Sequence, residues 1–515
     1  VAYGNVCSQQ LKIFEEKVMR AGSDTVMWHQ LFQLTPNGET SLQRQLREQL
    51  VVAILDGRIP AEHPLPSSRE LSRQLHVSRN TIVLAYEQLI DEGFLVARER
   101  RGYFVNPDIL RGRVESQADE TPSVDRIDWE KRFPLRVSRY PSVEKPQDWR
   151  KYPFPFVYGQ PDTDLIPVND WRECVRQSLS VRSIHSWSPD VVNHDDSALV
   201  EQICQRVLPR RGVWASPDEV LVTLGAQNAV KLVSALLHPV GSVVGFENPG
   251  YPDARHMFSL HGGEVRPLEL DEEGVIVDDN MQGCHSVFVT PSHQSPTTVT
   301  MSLQRRLDLL ARAEADDFFV IEDDYECETN YIGEPTPALK SLDKRGRVIY
   351  VSSLTKTFAP GLRLGFLVAD KAVVRELRAL RRLMYRHPPT NNQRTASFFL
   401  SLGHHDSLVS RLHSSYRERW QVMGAALGKY LPDAARAPSF GGTAFWVTGP
   451  ENLDANLLME AALERGVVIE PGDVFFAGDN PPRNCFRLGF SAIAADRIEE
   501  GVRIIAELIE QQLNS

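Results

Sequence analysis

The hydrophobic and polar positions change rhythm twice along the chain. In SLQRQLREQLVVAILDGRI, Leu42, Leu46, Leu50 and Ile54 recur at four-residue steps, a spacing that lines one face of a helix. Gly57 ends that helix, and PAEHPLP cannot continue it. SSRELSRQLHV follows, with Ser67 or Ser68 able to cap a helix whose inward residues are Leu71 and Leu75. After a break at His76–Val77, Ser78 is a second cap candidate, and Ile82, Tyr86, Leu89 and Ile90 form the buried face of SRNTIVLAYEQLIDEGF. Two short helices joined by so tight a turn predict a helix-turn-helix. Beyond Gly93, FLVARERRGYFV alternates about a basic tip of Arg98, Arg100, Arg101 and Gly102, the pattern of a β-hairpin wing. Periodicity then lapses. Residues 107–156 hold ESQADETPSVD and prolines at 134, 141, 146, 153 and 155, which predict an extended connector, with Trp129, Phe133 and Trp149 available to dock it. From residue 157 short β-type runs alternate with helical segments: EVLVTLGAQNAVKLVSALL, SVVGFENPGYPDARHMFSLHG, SVFVTPSHQSP, FFVIEDDYECE and RVIYVSSLTK. That order predicts an α/β domain with a mainly parallel sheet.

Composition sharpens this division. The 515 residues are 42% hydrophobic and 24% charged, ordinary for a soluble protein of several domains. The net charge of −11 excludes a chain that is basic throughout, but not a small DNA-binding module on an acidic body. Residues 40–106 carry nine basic and eight acidic side chains, so this segment is near neutral. No apolar run reaches the roughly 18 residues that a membrane span needs. Six cysteines are scattered without a Cys-x-x-Cys pair, which predicts reduced thiols in a cytoplasmic protein and no metal site. Residues 1–26 lack the pattern of a signal peptide, and Met27 is a plausible start. The expected domains are 1–39, an extension without assigned function; 40–106, the DNA-binding domain; 107–156, the connector; and 157–515, the cofactor domain.

In a helix-turn-helix the second helix enters the major groove by its N-terminal residues. Here those are Ser78, Arg79, Asn80 and Thr81, types that reach phosphates or base edges. LPSSRELSRQLHVSRNTIVLAYEQLIDEGFL with its wing resembles the GntR-type winged helix-turn-helix. The resemblance adds Arg69, Arg101 and Gly102 to the residues expected at double-stranded DNA.

In α/β sheets ligands gather at the carboxyl ends of the strands. Lys356, in SSLTKTFAPGLRLGF, lies just after one and could form a Schiff base. Ser353 and Arg363 flank it as a phosphate anchor would. Gly225, Ala226 and Gln227 open a helix after another strand, where backbone N–H groups cradle an anion. Asp323 could pair with a protonated pyridine nitrogen, Tyr325 could reach a ring hydroxyl, and Tyr251 could stack on the ring. Together these specify pyridoxal 5'-phosphate.

The ordered set resembles fold-type I pyridoxal phosphate enzymes of the aspartate aminotransferase family. The resemblance implies a pyridoxal phosphate-dependent transferase fold with large and small subdomains, Lys356 as the Schiff-base lysine, and Arg487, in NCFRLGF, as the grip on a substrate α-carboxylate. An α+β winged helix joined to such a domain resembles the MocR/GabR family of bacterial transcription regulators. That resemblance implies a head-to-tail homodimer that binds operator DNA and senses an amine, an amino acid or the cofactor itself through aldimine chemistry at Lys356. An aminotransferase with an appended DNA-binding domain is the alternative. The sequence departs from the enzyme pattern in two places. Asn-Pro-Thr-Gly is replaced by Ser295-Pro296-Thr297-Thr298, so His293, Gln294 or Tyr325 must meet the ring hydroxyl. The segment SWSPDVVNHDDSALVEQI, expected to shape the substrate mouth, holds Trp187, His194, Asp195 and Asp196, with Val200 where arginine is usual. Arg255, close after Tyr251, is a further candidate anion contact.

Overall fold

The computed structural model describes residues 28–514 apart from 29, 30, 33, 37–39, 60, 62, 63, 111–126, 333–335, 355 and 437–439. The chain forms two compact units, residues 1–132 and 133–515. The extension 1–26 and Met27 lie outside the described residues.

The first unit is built as its periodicity predicts. Helices α1 (Leu42–Leu55), α2 (Ser68–Leu75) and α3 (Arg79–Asp91) precede an antiparallel hairpin of β1 (Leu95–Arg98) and β2 (Gly102–Val105). Leu46, Leu50, Ile54, Leu71, Ile82, Tyr86 and Leu89 close one core, and Ala53 and Ala85 fill the gaps between the larger side chains. Ser67, not Ser68, caps α2: its hydroxyl accepts the Glu70 N–H at 3.2 Å. His76 ends that helix in the left-handed conformation, and Ser78 caps α3 by accepting the Thr81 N–H at 3.1 Å.

The second unit holds an eight-stranded sheet and a smaller four-stranded sheet. In chain order its main elements are β3 (Val220–Thr223), α4 (Ala226–Leu237), β4 (Val243–Asn248), α5 (Pro252–Ser259), β5 (Glu264–Asp271), β6 (Gly274–Val275), β7 (Ser286–Val289), α6 (Leu303–Ala315), β8 (Phe319–Asp324), β9 (Val348–Ser353) and β10 (Gly365–Val368). There follow α7 (Lys371–Tyr385), α8 (Thr390–Ser401), α9 (His404–Tyr430), β11 (Ala444–Thr448), β12 (Glu470–Pro471), β13 (Cys485–Gly489) and α10 (Ala495–Leu513). The large sheet runs β3-β10-β9-β8-β7-β4-β5-β6. Strands β9, β8, β7, β4 and β5 pair in parallel, while β10 is antiparallel to both of its neighbours. The central strands read as continuous apolar runs because helices cover both faces. One face packs Phe246, Phe258 and Phe288 under α4 and α5; the rings of Phe246 and Phe288 stack at 4.8 Å. In the small sheet β11 and β12 flank β13, which places Glu470 opposite Arg487.

The latter part of the expected connector is no free tether. Trp149 is buried with Val157 and Val468, and Phe154–Pro155 pairs in parallel with Val467–Val468. Trp129 and Phe133, the other two aromatic docking candidates, are 63% and 54% exposed. The five described cysteines are free thiols, and no helix among the described residues is long and apolar enough to cross a membrane.

Candidate functional site

The ends of β8 and β9, the start of α4 and the loop after β4 converge on a cavity of about 400 Å³. Ala226, Gln227, Tyr251, Asp323, Tyr325, Ser353, Lys356, Arg363 and Arg487 all line it. These nine residues are thus gathered in one place, although the first and last lie 261 positions apart.

Strand alternation selects the aspartate. Successive side chains on β8 point to opposite faces. Glu322 turns from the cavity to accept the N–H groups of Leu339 and Lys340, at 2.7 and 2.8 Å. Asp324 accepts Arg211 Nε and the Tyr350 hydroxyl, each at 2.8 Å, and Arg211 holds its carboxyl below the usual carboxylate range against the cost of burial. Asp323 faces the cavity. Its Oδ1 is buried with no hydrogen-bond partner among the described residues, and burial, with the charge of Asp324, raises its pKa to about 7. An unpartnered buried carboxylate oxygen requires a donor, and a protonated ring nitrogen is a fitting one.

The opposite end of the cavity suits a phosphate. Helix α4 begins there, so its first N–H groups have no partner within the helix. Gly225 precedes it with φ +84°; a Cβ at this position would stand 3.2 Å from Arg363 Nη2. Arg363, itself left-handed with φ +50°, donates from Nη2 to the Leu224 carbonyl at 3.1 Å. Gln227 and Tyr251 both donate to Asp253, at 2.9 and 3.2 Å, and this fixes the tyrosine ring in the wall.

Lys356 Nζ stands 4.5 Å from the Tyr158 ring centroid and 5.9 Å from that of Tyr325. Burial lowers its pKa; Glu326 opposes that shift and Arg487 adds to it. A Cβ on Gly159, whose φ is +70°, would meet Nζ at 2.9 Å. The residues present therefore fit pyridoxal phosphate: a deprotonatable amine, an orphaned carboxylate, a wall aromatic and an anion cradle.

Several expectations are corrected. Ser295 lines the cavity, but His293 and Gln294 do not. Gln294 spends its amide on Glu247, Pro249 and Ser295, and His293 is buried, its pKa lowered to about 4 by desolvation. Tyr325 alone of the three is available to a ring hydroxyl; its own O–H donates to the His293 carbonyl at 2.8 Å, leaving it an acceptor there. Arg255 donates to the backbone carbonyls of Phe475 and Val474, at 2.9 and 3.0 Å, and is no anion contact. Asp195 is buried between Arg378 and Arg381, at 2.7 and 2.6 Å, Asp196 pairs with Arg394 at 2.8 Å, and Val200 joins the core. None of Trp187, His194, Asp195, Asp196 and Val200 lines the cavity within the chain. Arg487 does line it, as expected of an effector contact; its Nε donates to Glu470 at 2.8 Å, and both side chains are at most 5% exposed. Sequence reading passed over Tyr158, Gly159, Glu326 and Glu470, which carry no local motif.

In the first unit Arg69, Arg79, Asn80, Arg101 and Gly102 are exposed. Ser78 is exposed too, but its hydroxyl and that of Thr81 lie 2.9 Å apart, so both serve the cap of α3. Arg79 Nε donates to Ser68 at 3.3 Å, which ties the start of α3 to α2. Arg98, expected in the wing tip, lies 4.4 Å over the Phe104 ring.

Residues 157–505 match the family Aminotransferase class I and II, and residues 42–105 match Bacterial regulatory proteins, gntR family. The HTH-type transcriptional regulator TauR of Rhodobacter capsulatus is 41% identical over 93% of this chain and 98% of its own. The probable rhizopine catabolism regulatory protein MocR of Rhizobium meliloti is 28% identical over 91% and 94%. Among solved structures, Pyrococcus horikoshii kynurenine aminotransferase superposes with a TM-score of 0.68 at 26% identity, covering 75% of this chain and 99% of the enzyme. The α-aminoadipate aminotransferase LysN of Thermus thermophilus gives 0.67 at 27%, covering 75% and 100%. Aminotransferases of this class use pyridoxal phosphate, and GntR-type regulators bind DNA. With its paired domains and its near full-length match to TauR, the chain belongs to the MocR/GabR family of transcriptional regulators.

Proposed function

We propose that this regulator holds pyridoxal phosphate at Lys356 and responds to an amine or amino acid that competes for the same carbon. The observation that carries the reading is one cavity in which a buried lysine amine, the orphaned Oδ1 of Asp323 and the Arg363–α4 anion cradle face each other. When bound, pyridoxal phosphate supplies an aldehyde that can exchange between a lysine amine and a free amine. The rest falls to the protein. Burial keeps a larger share of Lys356 neutral, and therefore nucleophilic, than water would. Asp323 would accept a ring N–H, Tyr325 would accept from a ring hydroxyl, and Tyr251 would bound one ring face. Ala226, Gln227, Ser353 and Arg363 would receive the phosphate. As a free amine Lys356 would sit in a buried place where Glu326 favours its protonation, so its release would change the local charge. Such a change shifts a conformational balance only if the effector prefers one state.

At DNA, Arg79 and Asn80 at the start of α3 are the base-reaching residues, with Arg69, Arg101 and Gly102 on the backbone and Ser78 and Thr81 fixing the helix end. A head-to-tail homodimer on two half-sites, in the cytoplasm, completes the reading.

The test is an absorbance titration of the cofactor-loaded, full-length protein with a panel of amines and amino acids. Wild type should change its long-wavelength band on addition of an effector, and Lys356→Ala should show neither that band nor the change. A Lys356→Ala protein with the wild-type spectrum and response would refute the reading.

A further inference from the structure

Strand β3 stands at one edge of the large sheet, with β10 on its inner side. The backbone groups of an edge strand that point away from its neighbour need other partners. Here side chains on α7 supply them. Arg378 Nη2 donates to the Val220 carbonyl at 3.2 Å, and Arg381 Nη1 donates to the Val222 carbonyl at 2.6 Å. Asp195 completes the row. It accepts the Val222 N–H at 3.3 Å and both arginines, at 2.7 and 2.6 Å. The side chains of Asp195 and Arg381 are fully buried, so this seam is part of the interior and not a solvated ion pair.

The row continues one turn along the helix. Arg378, Arg381 and Tyr385 follow at steps of three and four, which puts them on one face of α7. The Tyr385 hydroxyl donates to Asn228 Oδ1, and the same oxygen accepts the Leu224 N–H at 3.2 Å. Burial pushes the Tyr385 hydroxyl up to about 12, so it keeps its proton at neutral pH. Helix α7 thus addresses Val220, Val222 and Leu224, every second residue, from the strand into the turn that opens α4. The Leu224 peptide is gripped on its other side as well, where its carbonyl accepts Arg363. A Cβ at Gly365 would stand 2.7 Å from the Gly225 carbonyl carbon and 2.8 Å from the Ala226 nitrogen, so β10 packs flush against the same turn.

We propose that Tyr385, acting through Asn228, is a positioning residue for the phosphate cradle, and that the seam of Asp195, Arg378 and Arg381 seats α7 on β3 so that it can act. This inference rests on the cofactor reading above. The cradle has two parts, the first N–H groups of α4 and the Arg363 guanidinium, and the Leu224 peptide joins them. Without the Tyr385 hydroxyl, Asn228 loses one of the two donors that orient its amide, the Leu224 N–H is held less firmly, and the two parts lose their common register. Neither Tyr385 nor Asn228 lines the cavity. Their loss therefore removes no contact to a ring or an aldehyde, and the effect is confined to the phosphate.

The experiment uses cofactor-free, full-length wild type, Tyr385→Phe and Asn228→Ala. Each is titrated by absorbance with pyridoxal phosphate and with pyridoxal, which has the same ring and aldehyde but no phosphate. Tyr385→Phe should raise the half-saturating concentration of pyridoxal phosphate about three- to tenfold, the scale of one hydrogen bond. Asn228→Ala removes both bonds and should raise it further. Both variants should leave pyridoxal unchanged, so the preference for the phosphorylated compound shrinks. A general loosening of the fold would instead weaken the two compounds alike. If Tyr385→Phe weakens both equally, or neither, the positioning role is overturned while the cofactor reading stands. Asn228→Ala carries the same two outcomes should Tyr385→Phe fail to fold. A wild-type protein that takes up neither compound would overturn the cofactor reading and this inference with it.

Discussion

Replacing Asp323 by asparagine should move cofactor affinity down and flatten one part of the pH–stability curve. An ordinary aspartate titrates near 3.8; burial and Asp324 raise Asp323 to about 7. That difference makes the ionised form about 4 kcal/mol less favourable in the folded protein than in water. Between pH 4 and 7 the folded state therefore binds more protons here than the unfolded state, and stability without cofactor falls as pH rises through that window. Glu247, Glu322 and Glu328, also raised to about 7, add slopes of the same sign, so the contribution of Asp323 is the difference between wild type and variant. A cationic ring nitrogen reverses the local balance by giving the carboxylate a partner. Asparagine can bond but not neutralise it, so loss of a buried charge-assisted contact of about 3 kcal/mol predicts roughly 100-fold weaker cofactor binding. The assays are urea unfolding of cofactor-free protein at pH 5 and 8 and cofactor titration at pH 8. Wild-type affinity in Asp323→Asn together with an unchanged pH slope would refute the assignment.

Gly159→Ala combines left-handed strain of about 1–2 kcal/mol with a Cβ 2.9 Å from Lys356 Nζ. It should leave a folded protein, by circular dichroism, whose cofactor uptake is at least tenfold weaker. Glu470→Ala strands a buried guanidinium and should cost about 3–5 kcal/mol in urea unfolding, with Glu470→Gln costing less. Arg101→Ala should weaken DNA binding and lower the salt slope of log Kd by about 0.9, one phosphate contact; an unchanged slope in a titration from 50 to 200 mM salt would remove it from the interface.

What the sequence revealed was mostly local. The four-residue rhythm of α1 and the caps at Ser67 and Ser78 are visible because each depends on a few neighbouring residues. The choice of Asp323 over Asp324 is one that period-two alternation on a strand enforces, given Lys356 on the same cavity. The rest needed three dimensions. Glu470 and Arg487 meet across two antiparallel strands. Tyr158 precedes Lys356 by nearly two hundred positions and has no motif of its own. Residues 295–298 and the stretch from Trp187 to Val200 misled because a departure from a familiar pattern tells that a contact is lost, not where the replacement side chain goes. Asp195 went to two arginines on α7. The docking of the connector was hidden by composition, since a proline-rich stretch reads as a tether until Trp149 is seen buried against Val157 and Val468.

The central claim is that lysine chemistry in one unit governs DNA binding by the other. It is tested by measuring the affinity of the full-length protein for a duplex selected from a random pool, with and without cofactor and an effector found by absorbance. Wild type should change its Kd at least fivefold on effector addition, and Lys356→Ala should bind the duplex without any such change. An effector response of equal size in Lys356→Ala would contradict the account.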